Sequence, residues 1–549
     1  MQSYDAIVVG AGHNGLVTAL YLARGGWRVL VLERNAEVGG AIRSGEVTLP
    51  GFVHDLYSTN QNLFVLSPVY QELEQDFTRH GLRFVRTDTP VCNVYPNGSS
   101  VHIYRDVERT RAEIQARHPE DVEGWRQLEL RHQLLMQTLF PLYATPLPSL
   151  KAAGIVWKSL KTVGIKPLLD LFQLLLKSPR ELANAYFSSA EMKAVIACWG
   201  LHLDFAPDTV GGTLFPLTSA FEVMDKGISL AEGGASKISE ALAAMIREAG
   251  GEIRTNAEVR HILTKRGRAT GVELANGEQI GARRAVVANL TPKTLFGSLL
   301  DTAAVPYAAR QRAEQYVYSP ATMMIHLALS APPQWAAGDH ISQFSYVHIA
   351  PYIEDLATAY TQAMNGELPT NPLLIVGQTS AVDPSRVSGE GAILYIQVRP
   401  LPGQIRGDAR GEIEARDWAD AREAFADRVM QKLEAYAPGI SALVLKRVVY
   451  SPQDLARHVP NWVDGDTISG SHHLQQNFLF RPFWGASRYR MPVRNLYMVG
   501  AATWPGAGNN ATSGYLAAQQ LLARRTLPLG GLAALLAAVV GGWLLLRRR

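Results

Sequence analysis

The chain has 549 residues, more than one compact hydrophobic core normally holds, so its length predicts at least two domains. Hydrophobic residues make up 47% of the chain and charged residues 19%, which is typical of a folded protein, and a formal net charge of +4 is too mild to indicate nucleic-acid binding. The two cysteines, Cys92 and Cys198, are far apart and lack CxxC spacing, which argues against a disulfide framework or a zinc site and fits a reducing compartment.

The N-terminal segment follows a strand–turn–helix–strand pattern. Residues 6–9 are an apolar run typical of a buried strand, and residues 16–23 follow helical periodicity. Residues 28–32 form a second apolar strand that ends at Glu33. The turn before the helix holds three glycines: Gly10, Gly12 and Gly15. Glycines at this spacing between a strand and a helix predict a dinucleotide-binding βαβ unit.

Each glycine of this turn has a physical task. Gly10 permits a tight turn, Gly12 lets the backbone approach a pyrophosphate, and Gly15 lets the helix pack closely on the strand. The helix N-terminus offers free N–H groups, including those near His13 and Asn14, and the positive end of the helix dipole to the phosphates. The turn is therefore expected to bind the pyrophosphate.

Glu33 and the residues that follow it indicate which dinucleotide binds. The Glu33 carboxylate is placed to accept hydrogen bonds from ribose hydroxyls and would repel a 2′-phosphate, which argues against NADP. The following run, EVGGAIR, resembles the FAD-dependent family that contains amine oxidases and phytoene desaturases. The resemblance implies that Gly39 and Gly40 run beside the diphosphate of FAD and that Arg43 lies near the cofactor. The alternatives are an ordinary turn and a solvated loop charge.

The region between residues 44 and 225 is mainly helical. Asp55 either lies near the flavin, as the resemblance implies, or caps a helix. Residues 151–180 combine apolar residues at helical spacing with five lysines and a single acid. This pattern is typical either of a helix on an anionic membrane surface or of a core-facing helix pair with a solvated basic side. Residues 181–225 are apolar and helical, and we expect them to wall an apolar substrate site.

The chain then returns to cofactor-binding sequence. Residues 260–263, 271–274, 279–280 and 285–288 alternate as strands around a hairpin signal, Asn276-Gly277. This stretch resembles the second FAD segment of phytoene desaturase-like proteins, which implies that Val259 contacts the adenine through its backbone.

Residues 301–450 predict the sheet of a substrate domain. Residues 323–329 and 392–398 are apolar strands, and residues 417–437 form a long helix. No HExxH or comparable spacing predicts a metal site, and no GxSxG supports serine hydrolase chemistry. The sequence identifies no residue as a catalytic acid or base.

The closing segment, residues 493–522, is the second strong signal. Gly500 and Ala501 end a strand, and a helix is predicted to start near Asn510 and Ala511, with its positive end toward the N1–O2 edge of a flavin. The layout resembles phytoene desaturases and desaturase-like beta-carotene ketolase. It departs from them at Trp504 and at residues 509–511, changes that are expected to border the substrate side.

The C-terminal stretch has the length of a membrane span. Residues 527–546 carry no charge and lie between arginines. They predict a single-pass anchor on a membrane-associated protein with its FAD domain on the cytoplasmic side. The alternative is a helix docked in a soluble core, and arginines on both sides leave the anchor's orientation open.

Together these features predict an α/β fold. A Rossmann-like FAD-binding domain is built from discontinuous segments, 1–105, 226–300 and 451–523. A helical region, 106–225, faces substrate or membrane lipid. Residues 301–450 supply a mixed sheet-plus-helix substrate domain, and a C-terminal hydrophobic helix completes the chain.

The predicted function is oxidation of a long apolar isoprenoid, most simply a carotenoid-like polyene, by FAD. Hydride transfer from an allylic carbon to flavin N5 would precede loss of a proton, and a quinone or oxygen would take the electrons, because no second nucleotide motif is present. The alternatives are a saturase, isomerase or ketolase, an amine oxidase, and a non-catalytic prenyl-lipid carrier related to Rab GDP-dissociation inhibitors.

Overall fold

The computed structural model describes residues 2–523. The anchor predicted for residues 527–546 lies outside that range. Among the described helices, none combines the length and the apolar character that a membrane crossing requires.

The strands of the described chain, in order, are β1 (Ser3–Val9), β2 (Val29–Leu32), β3 (Ser44–Gly45), β4 (His54–Asp55), β5 (Phe84–Arg86), β6 (Val91–Val94), β7 (Ser100–Ile103), β8 (Ser229–Ala231), β9 (Glu252–Arg254), β10 (Val259–Lys265), β11 (Arg268–Leu274), β12 (Gln279–Ala288), β13 (Ala321–Leu329), β14 (Tyr346–Ile349), β15 (Glu367–Leu368), β16 (Leu374–Gly377), β17 (Ala392–Leu401), β18 (Gly407–Asp408), β19 (Val444–Tyr450) and β20 (Leu496–Met498).

The α-helices, in order, are α1 (His13–Arg24), α2 (Asn62–Val65), α3 (Pro68–Arg79), α4 (Val107–Arg117), α5 (Val122–Thr138), α6 (Leu150–Val163), α7 (Ile165–Leu176), α8 (Pro179–Tyr186), α9 (Ala190–Ala197), α10 (Leu214–Lys226), α11 (Ser236–Glu248), α12 (Pro292–Thr294), α13 (Tyr307–Glu314), α14 (Ile353–Met364), α15 (Thr379–Val382), α16 (Trp418–Tyr436), α17 (Ile440–Leu443), α18 (Pro452–His458) and α19 (Thr512–Leu522).

The first sheet is the Rossmann-like one. Its strand order is β10-β11-β12-β1-β2-β9, with β20 beside β12. The strands β9, β2, β1, β12 and β20 run parallel, and β10 and β11 add an antiparallel ribbon. The parallel pairing of β1 with β2 around α1 confirms the predicted βαβ unit. Strands from the beginning, middle and end of the chain therefore share one sheet.

The central strands of this sheet are buried on both faces, which explains why their sequences are continuous apolar runs. Ala6 and Val8 face a core that includes α1, α11 and α19, whereas Ile7 and Val9 face a second core under β10 and β11. Alternation along the strand sends neighbouring side chains into the two cores. Helix α1 is thereby held against the end of β1.

One strand differs from its prediction. Residues 279–280 and 285–288 are predicted as separate strands, but both belong to β12. Arg283 and Arg284 interrupt the apolar pattern because they are exposed there, and the Arg284 guanidinium lies 3.7 Å from the ring centre of Trp27.

The second sheet is mixed and has the order β19-β13-β17-β16-β14-β6-β7. It contains the strands predicted at 323–329 and 392–398, and α16 confirms the predicted long helix. Helices α5 and α7–α10 bury a common core against one side of it. Helix α10 is part of this core.

Candidate active site

The glycine turn brings the end of β1 against the start of α1. A Cβ on Gly15 would stand 2.3 Å from the Gly10 carbonyl oxygen, so only glycine allows this approach. A Cβ on Gly12 would stand 2.8 Å from Nδ2 of Asn289. The role predicted for Gly15, close packing of helix on strand, matches this geometry.

The second glycine pair lies beside the first turn. The Gly39 N–H donates to the Ala11 carbonyl at 2.9 Å, and Gly39 pairs with Gly12 in a short parallel bridge. A Cβ on Gly40 would stand 3.2 Å from Cα of Gly12. The two glycine segments, Gly10–Gly15 and Gly39–Gly40, therefore form one surface, which we call the glycine-lined surface.

Glu33 closes this surface at the end of β2. Its buried carboxylate accepts hydrogen bonds from the N–H of Ala11 at 2.8 Å and of Asn35 at 3.0 Å. The Ala257 N–H donates to the Glu33 carbonyl at 2.8 Å, which brings Val259, at the start of β10, to the same edge. The predicted ribose and adenine positions are thus neighbours.

His13 and Asn14 have side-chain roles that the sequence did not indicate. The Asn14 Oδ1 accepts a hydrogen bond from the Gly514 N–H at 2.9 Å, which ties α1 to α19. Asn14 Nδ2 lies 2.9 Å from His13 Nε2. Burial lowers the pKa of His13 to about 4, so the imidazole is neutral near pH 7. The backbone N–H groups and the dipole of α1 are what the N-terminus of this helix offers to a phosphate.

Asn289 and Arg481 were missed by sequence reasoning. Asn289 follows β12, its Nδ2 donates to the Gly10 carbonyl at 3.4 Å, and a Cβ on Gly500 would stand 2.5 Å from its Oδ1. Arg481 is fully buried and donates to the Ala501 carbonyl through Nη2 at 2.6 Å and through Nε at 3.0 Å. The position of Asn289 at the end of an apolar strand could have indicated that it lies beside the glycine turn. No pattern in the sequence indicates the position of Arg481.

The closing helix begins two residues later than predicted. Helix α19 starts at Thr512, after Ala511, whose φ is +57°. Asn510 lies in the turn before the helix, where its Oδ1 accepts a hydrogen bond from the Thr512 N–H at 2.9 Å. The Gly500 N–H donates to Ser513 Oγ at 3.0 Å. The N-terminus of α19 thus lies against the predicted strand end at Gly500.

Arg43 packs against Tyr57 instead of extending into solvent, with its guanidinium carbon 5.3 Å from the ring centre. Its Nη2 donates to Tyr57 Oη at 2.5 Å, and Tyr57 Oη lies 3.0 Å from His458 Nδ1. Its Nε is buried and has no hydrogen-bond partner within residues 2–523. An unpaired guanidinium nitrogen beside a glycine-lined surface fits a bound group that supplies an acceptor, such as the diphosphate of a dinucleotide.

Asp55 performs the capping role that was the alternative for it. Its Oδ1 accepts hydrogen bonds from the Ala235 N–H, at the start of α11, and from Ser44 Oγ, both at 2.7 Å. Its Oδ2 lies 2.9 Å from Arg386 Nη1, and both side chains are fully buried.

A cavity of about 180 Å³ lies between the glycine-lined surface and the second sheet. One side is formed by loop residues near the predicted cofactor contacts: Ala41, Tyr57, Ser58, Ala507, Gly508 and Asn509. The opposite side comes from α10, the second sheet and nearby aromatic residues: Trp199, His202, Phe215, Ser219, Glu222, Val223, Met324, Ile375, Gln397, Arg399 and Trp462. The region predicted to wall the substrate site, residues 181–225, supplies both apolar residues (Trp199, Phe215 and Val223) and polar residues (His202, Ser219 and Glu222) to this lining.

The cavity lining also carries buried polar groups. Burial raises the pKa of Glu222 to about 7 and lowers that of His202 well below its usual range. Arg399 donates to the His202 carbonyl and to Thr467 Oγ1, each at 2.9 Å. The lining is therefore mixed, with ionisable groups set among aromatic and aliphatic ones.

Trp504 does not border this cavity, contrary to expectation. It is buried, donates from Nε1 to the Thr145 carbonyl at 3.0 Å, and packs on the rings of Tyr143 and Phe478. Asn509 does line the cavity, and its Nδ2 donates to Ser58 Oγ at 2.7 Å.

Comparison with known proteins agrees with this geometry. Residues 15–522 match the model of the flavin containing amine oxidoreductase family. One of the subunits of limonene dehydrogenase from Castellaniella defragrans is 28% identical over 94% of both chains. A neurosporene-forming phytoene desaturase of Cereibacter sphaeroides is 25% identical over 92% of this chain and 91% of its own.

Solved structures share the fold. Putrescine oxidase bound to putrescine has 14% sequence identity and a TM-score of 0.59, with 95% of this chain and 98% of the other covered. An oxidoreductase from Methanosarcina mazei has 16% identity and a TM-score of 0.58, with 94% and 100% covered. The chain belongs to the flavin-containing amine oxidoreductase family, and its cofactor is FAD.

Proposed function

We propose that this protein oxidises an isoprenoid hydrocarbon at an allylic carbon. The observation that carries the proposal is the cavity, which has the loops of the glycine-lined surface on one side and a wall on the other whose aromatic and aliphatic side chains surround a few polar ones. A hydrocarbon has no polar handle, so such a wall is what would bind and orient it. Bound FAD supplies the hydride acceptor for the oxidation.

The residues that would hold FAD are those that the fold brings to one surface. The turn Gly10–Gly15, including the backbone of His13 and Asn14, would bind the diphosphate with Gly39, Gly40 and Arg43. Glu33 and the backbone of Val259 would bind the adenosine. Gly500, Ala501, Asn510 and Ala511 would lie against the flavin, where the N-terminus of α19 offers a positive potential to negative charge.

The volume of the cavity can be compared with the size of candidate substrates. A cavity of about 150 Å³ is large enough for benzene, so 180 Å³ accommodates a short isoprenoid or one segment of a long chain. The names of relatives support this substrate class, since limonene dehydrogenase, phytoene desaturase and the carrot prolycopene isomerase are all named for isoprenoids.

The α6–α7 pair is proposed to dock on an anionic membrane, from which such a substrate would arrive. Along α7, Ile165, Leu169, Phe172 and Leu176 follow the spacing of a single helical face, and each is exposed. On α6, 61% of the Trp157 side chain is exposed. Exposed lysines flank these apolar groups: Lys151, Lys158, Lys161 and Lys166. Apolar burial with attraction of lysines to anionic lipid is how such helices bind membranes.

Product analysis tests the proposed reaction. Purified protein is incubated with limonene or phytoene and with a quinone or oxygen, and product masses are measured by mass spectrometry. Dehydrogenation yields a product lighter by two hydrogens. An isomerase would leave the mass unchanged, a saturase would raise it, and a ketolase would add oxygen. A simple amine converted to its aldehyde, with no isoprenoid oxidised, would refute the proposal.

A further inference from the structure

Helix α10 places one acidic residue on the cavity wall. Glu222 lines the cavity with Phe215, Ser219 and Val223 from the same helix, and only 8% of it is exposed. Its Oε1 is buried and has no hydrogen-bond partner within residues 2–523. Buried carboxylate oxygens are nearly always paired, so an unpaired one beside a cavity marks Glu222 as a candidate functional group, with an oxygen free to accept a proton.

We propose that Glu222 is the catalytic base that removes the substrate proton. The inference rests on the proposed function, because it assigns the second half of that oxidation. One C–H bond of the allylic carbon breaks and its hydrogen leaves with both electrons to oxidised FAD. A C–H bond on the adjacent carbon breaks, its electron pair becomes the new C=C bond, and its proton goes to Oε1 of Glu222. The products are an alkene, reduced flavin and a neutral carboxyl.

The surroundings of Glu222 suit this role. Burial, the main cause, and the nearby Asp225 raise its pKa to about 7, so both protonation states are populated near neutrality, which favours a general base. Lys226 opposes the shift weakly. Other titratable or charged groups reach α10 or the cavity from neighbouring elements: His132 on α5, His202 after α9, Tyr57, Tyr346 on β14 and Arg399 on β17.

These neighbouring groups are less suited than Glu222 to accept the substrate proton. Burial lowers the pKa of His132 and of His202, and it raises the pKa of Tyr346 to about 12. The histidines are neutral and the tyrosine keeps its proton near pH 7. Arg399, whose pKa burial also lowers, already donates its N–H groups to the His202 carbonyl and to Thr467. Among the described residues that line the cavity, Glu222 is the one that carries a carboxyl group.

The first test observes the carboxyl group itself. Infrared difference spectra of oxidised, FAD-loaded protein should show a protonated-carboxyl band that disappears as the pH is raised through about 7. Glu222→Gln should lack that band, and Glu314→Gln, the same change at an exposed site on α13, should keep it. Burial also raises the pKa of the Asp204 carboxyl, to about 6, so a band that titrates at that lower pH remains in both variants. The assignment would be overturned if Glu222→Gln kept the component that titrates near 7, or if wild type had no such component.

The second test separates this inference from the proposed function. Anaerobic reduction of the flavin by an isoprenoid should be at least about 100-fold slower in Glu222→Gln. In wild type the rate should rise with pH and reach half its maximum near 7, whereas Glu222→Gln should lose this dependence. Equal rates and equal pH profiles in variants that retain FAD and melt like wild type would overturn the role of Glu222 alone. A wild-type flavin that no isoprenoid reduces would refute the proposed function and this role together.

Discussion

Asp55 and Arg386 form a buried ion pair that joins the two halves of the molecule, with 2.9 Å between Oδ2 and Nη1. Arg386 Nε also lies 2.9 Å from Oδ2 of Asp383. Asp55 accepts the Ala235 N–H and Asp383 accepts the Gly233 N–H, so both carboxylates bind the segment that leads into α11. The loop after the second glycine pair is thereby fixed to the second sheet, and the cavity lies between them.

Arg386→Ala should destabilise the protein strongly. It leaves the Asp55 carboxylate buried and uncompensated, which typically costs about 3–5 kcal/mol. Thermal unfolding followed by circular dichroism should show a melting temperature several degrees below wild type. Arg79→Ala breaks an exposed pair with Asp76 and Glu248 and should cost at most about 1 kcal/mol. Similar melting temperatures for the two variants would contradict this account of the ion pair.

Gly15→Ala should disrupt the cofactor site. The added Cβ would stand 2.3 Å from the Gly10 carbonyl, so helix and turn must separate. We expect loss of bound FAD and a melting temperature below wild type. Gly154→Ala on α6 is the matched control, because no atom lies within 4 Å of its Cβ. That change should stabilise by up to about 1 kcal/mol, as alanine is the better helix former. A Gly15→Ala protein with full flavin content would refute the packing argument.

Glu33→Gln should weaken FAD binding without unfolding the protein. Glutamine still offers an oxygen to the Ala11 N–H, but its NH2 group then faces the Asn35 N–H, so that hydrogen bond is lost. It also loses the charge that strengthens hydrogen bonds from ribose hydroxyls. The loss is expected to be about 1–1.5 kcal/mol, or roughly tenfold in the dissociation constant. Titration of the apoprotein with FAD, followed by flavin fluorescence, measures it. Glu37→Gln, at an exposed site on the same loop, should bind FAD like wild type. If Glu33→Gln also bound FAD with wild-type affinity, Glu33 would not be a cofactor-binding residue.

A fluorophore on α7 should report membrane docking. Cys92 and Cys198 are both buried, so a label will react with an introduced surface cysteine. Phe172→Cys carrying an environment-sensitive dye should shift its emission to the blue on vesicles that contain anionic lipid. Met364→Cys, on the exposed face of α14, should not shift. The experiment uses the full chain, which could also bind vesicles through another segment. If the protein bound vesicles while the dye at position 172 showed no blue shift, docking by α6 and α7 would be contradicted.

Local motifs explain which parts of the site could be predicted. The approach of Gly39 to Gly12 follows from glycines that tolerate backbone contact, and Glu33 is placed by the end of a strand. These features depend on residues close in sequence or on a repeated backbone geometry. Asp55 could be placed only as an alternative, because its partner Arg386 lies more than three hundred residues away.

Other features depend on tertiary contacts that one sequence does not reveal. Arg481 donates to a carbonyl from a loop without regular structure, and Trp504 is buried in the core, where it donates to the Thr145 carbonyl. Glu222 lies in an apolar stretch and becomes conspicuous only when burial leaves its Oε1 unpaired. Periodicity identifies the helix that carries it, but not which of its faces meets the cavity.

The most direct test of the central claim is anaerobic titration of the purified full-length protein, followed by its flavin absorption bands. An isoprenoid such as limonene or phytoene should bleach the bands, with one flavin reduced for each double bond formed, and simple amines should leave them unchanged. Bands that persist with every isoprenoid, or that bleach only with amines, would contradict the claim.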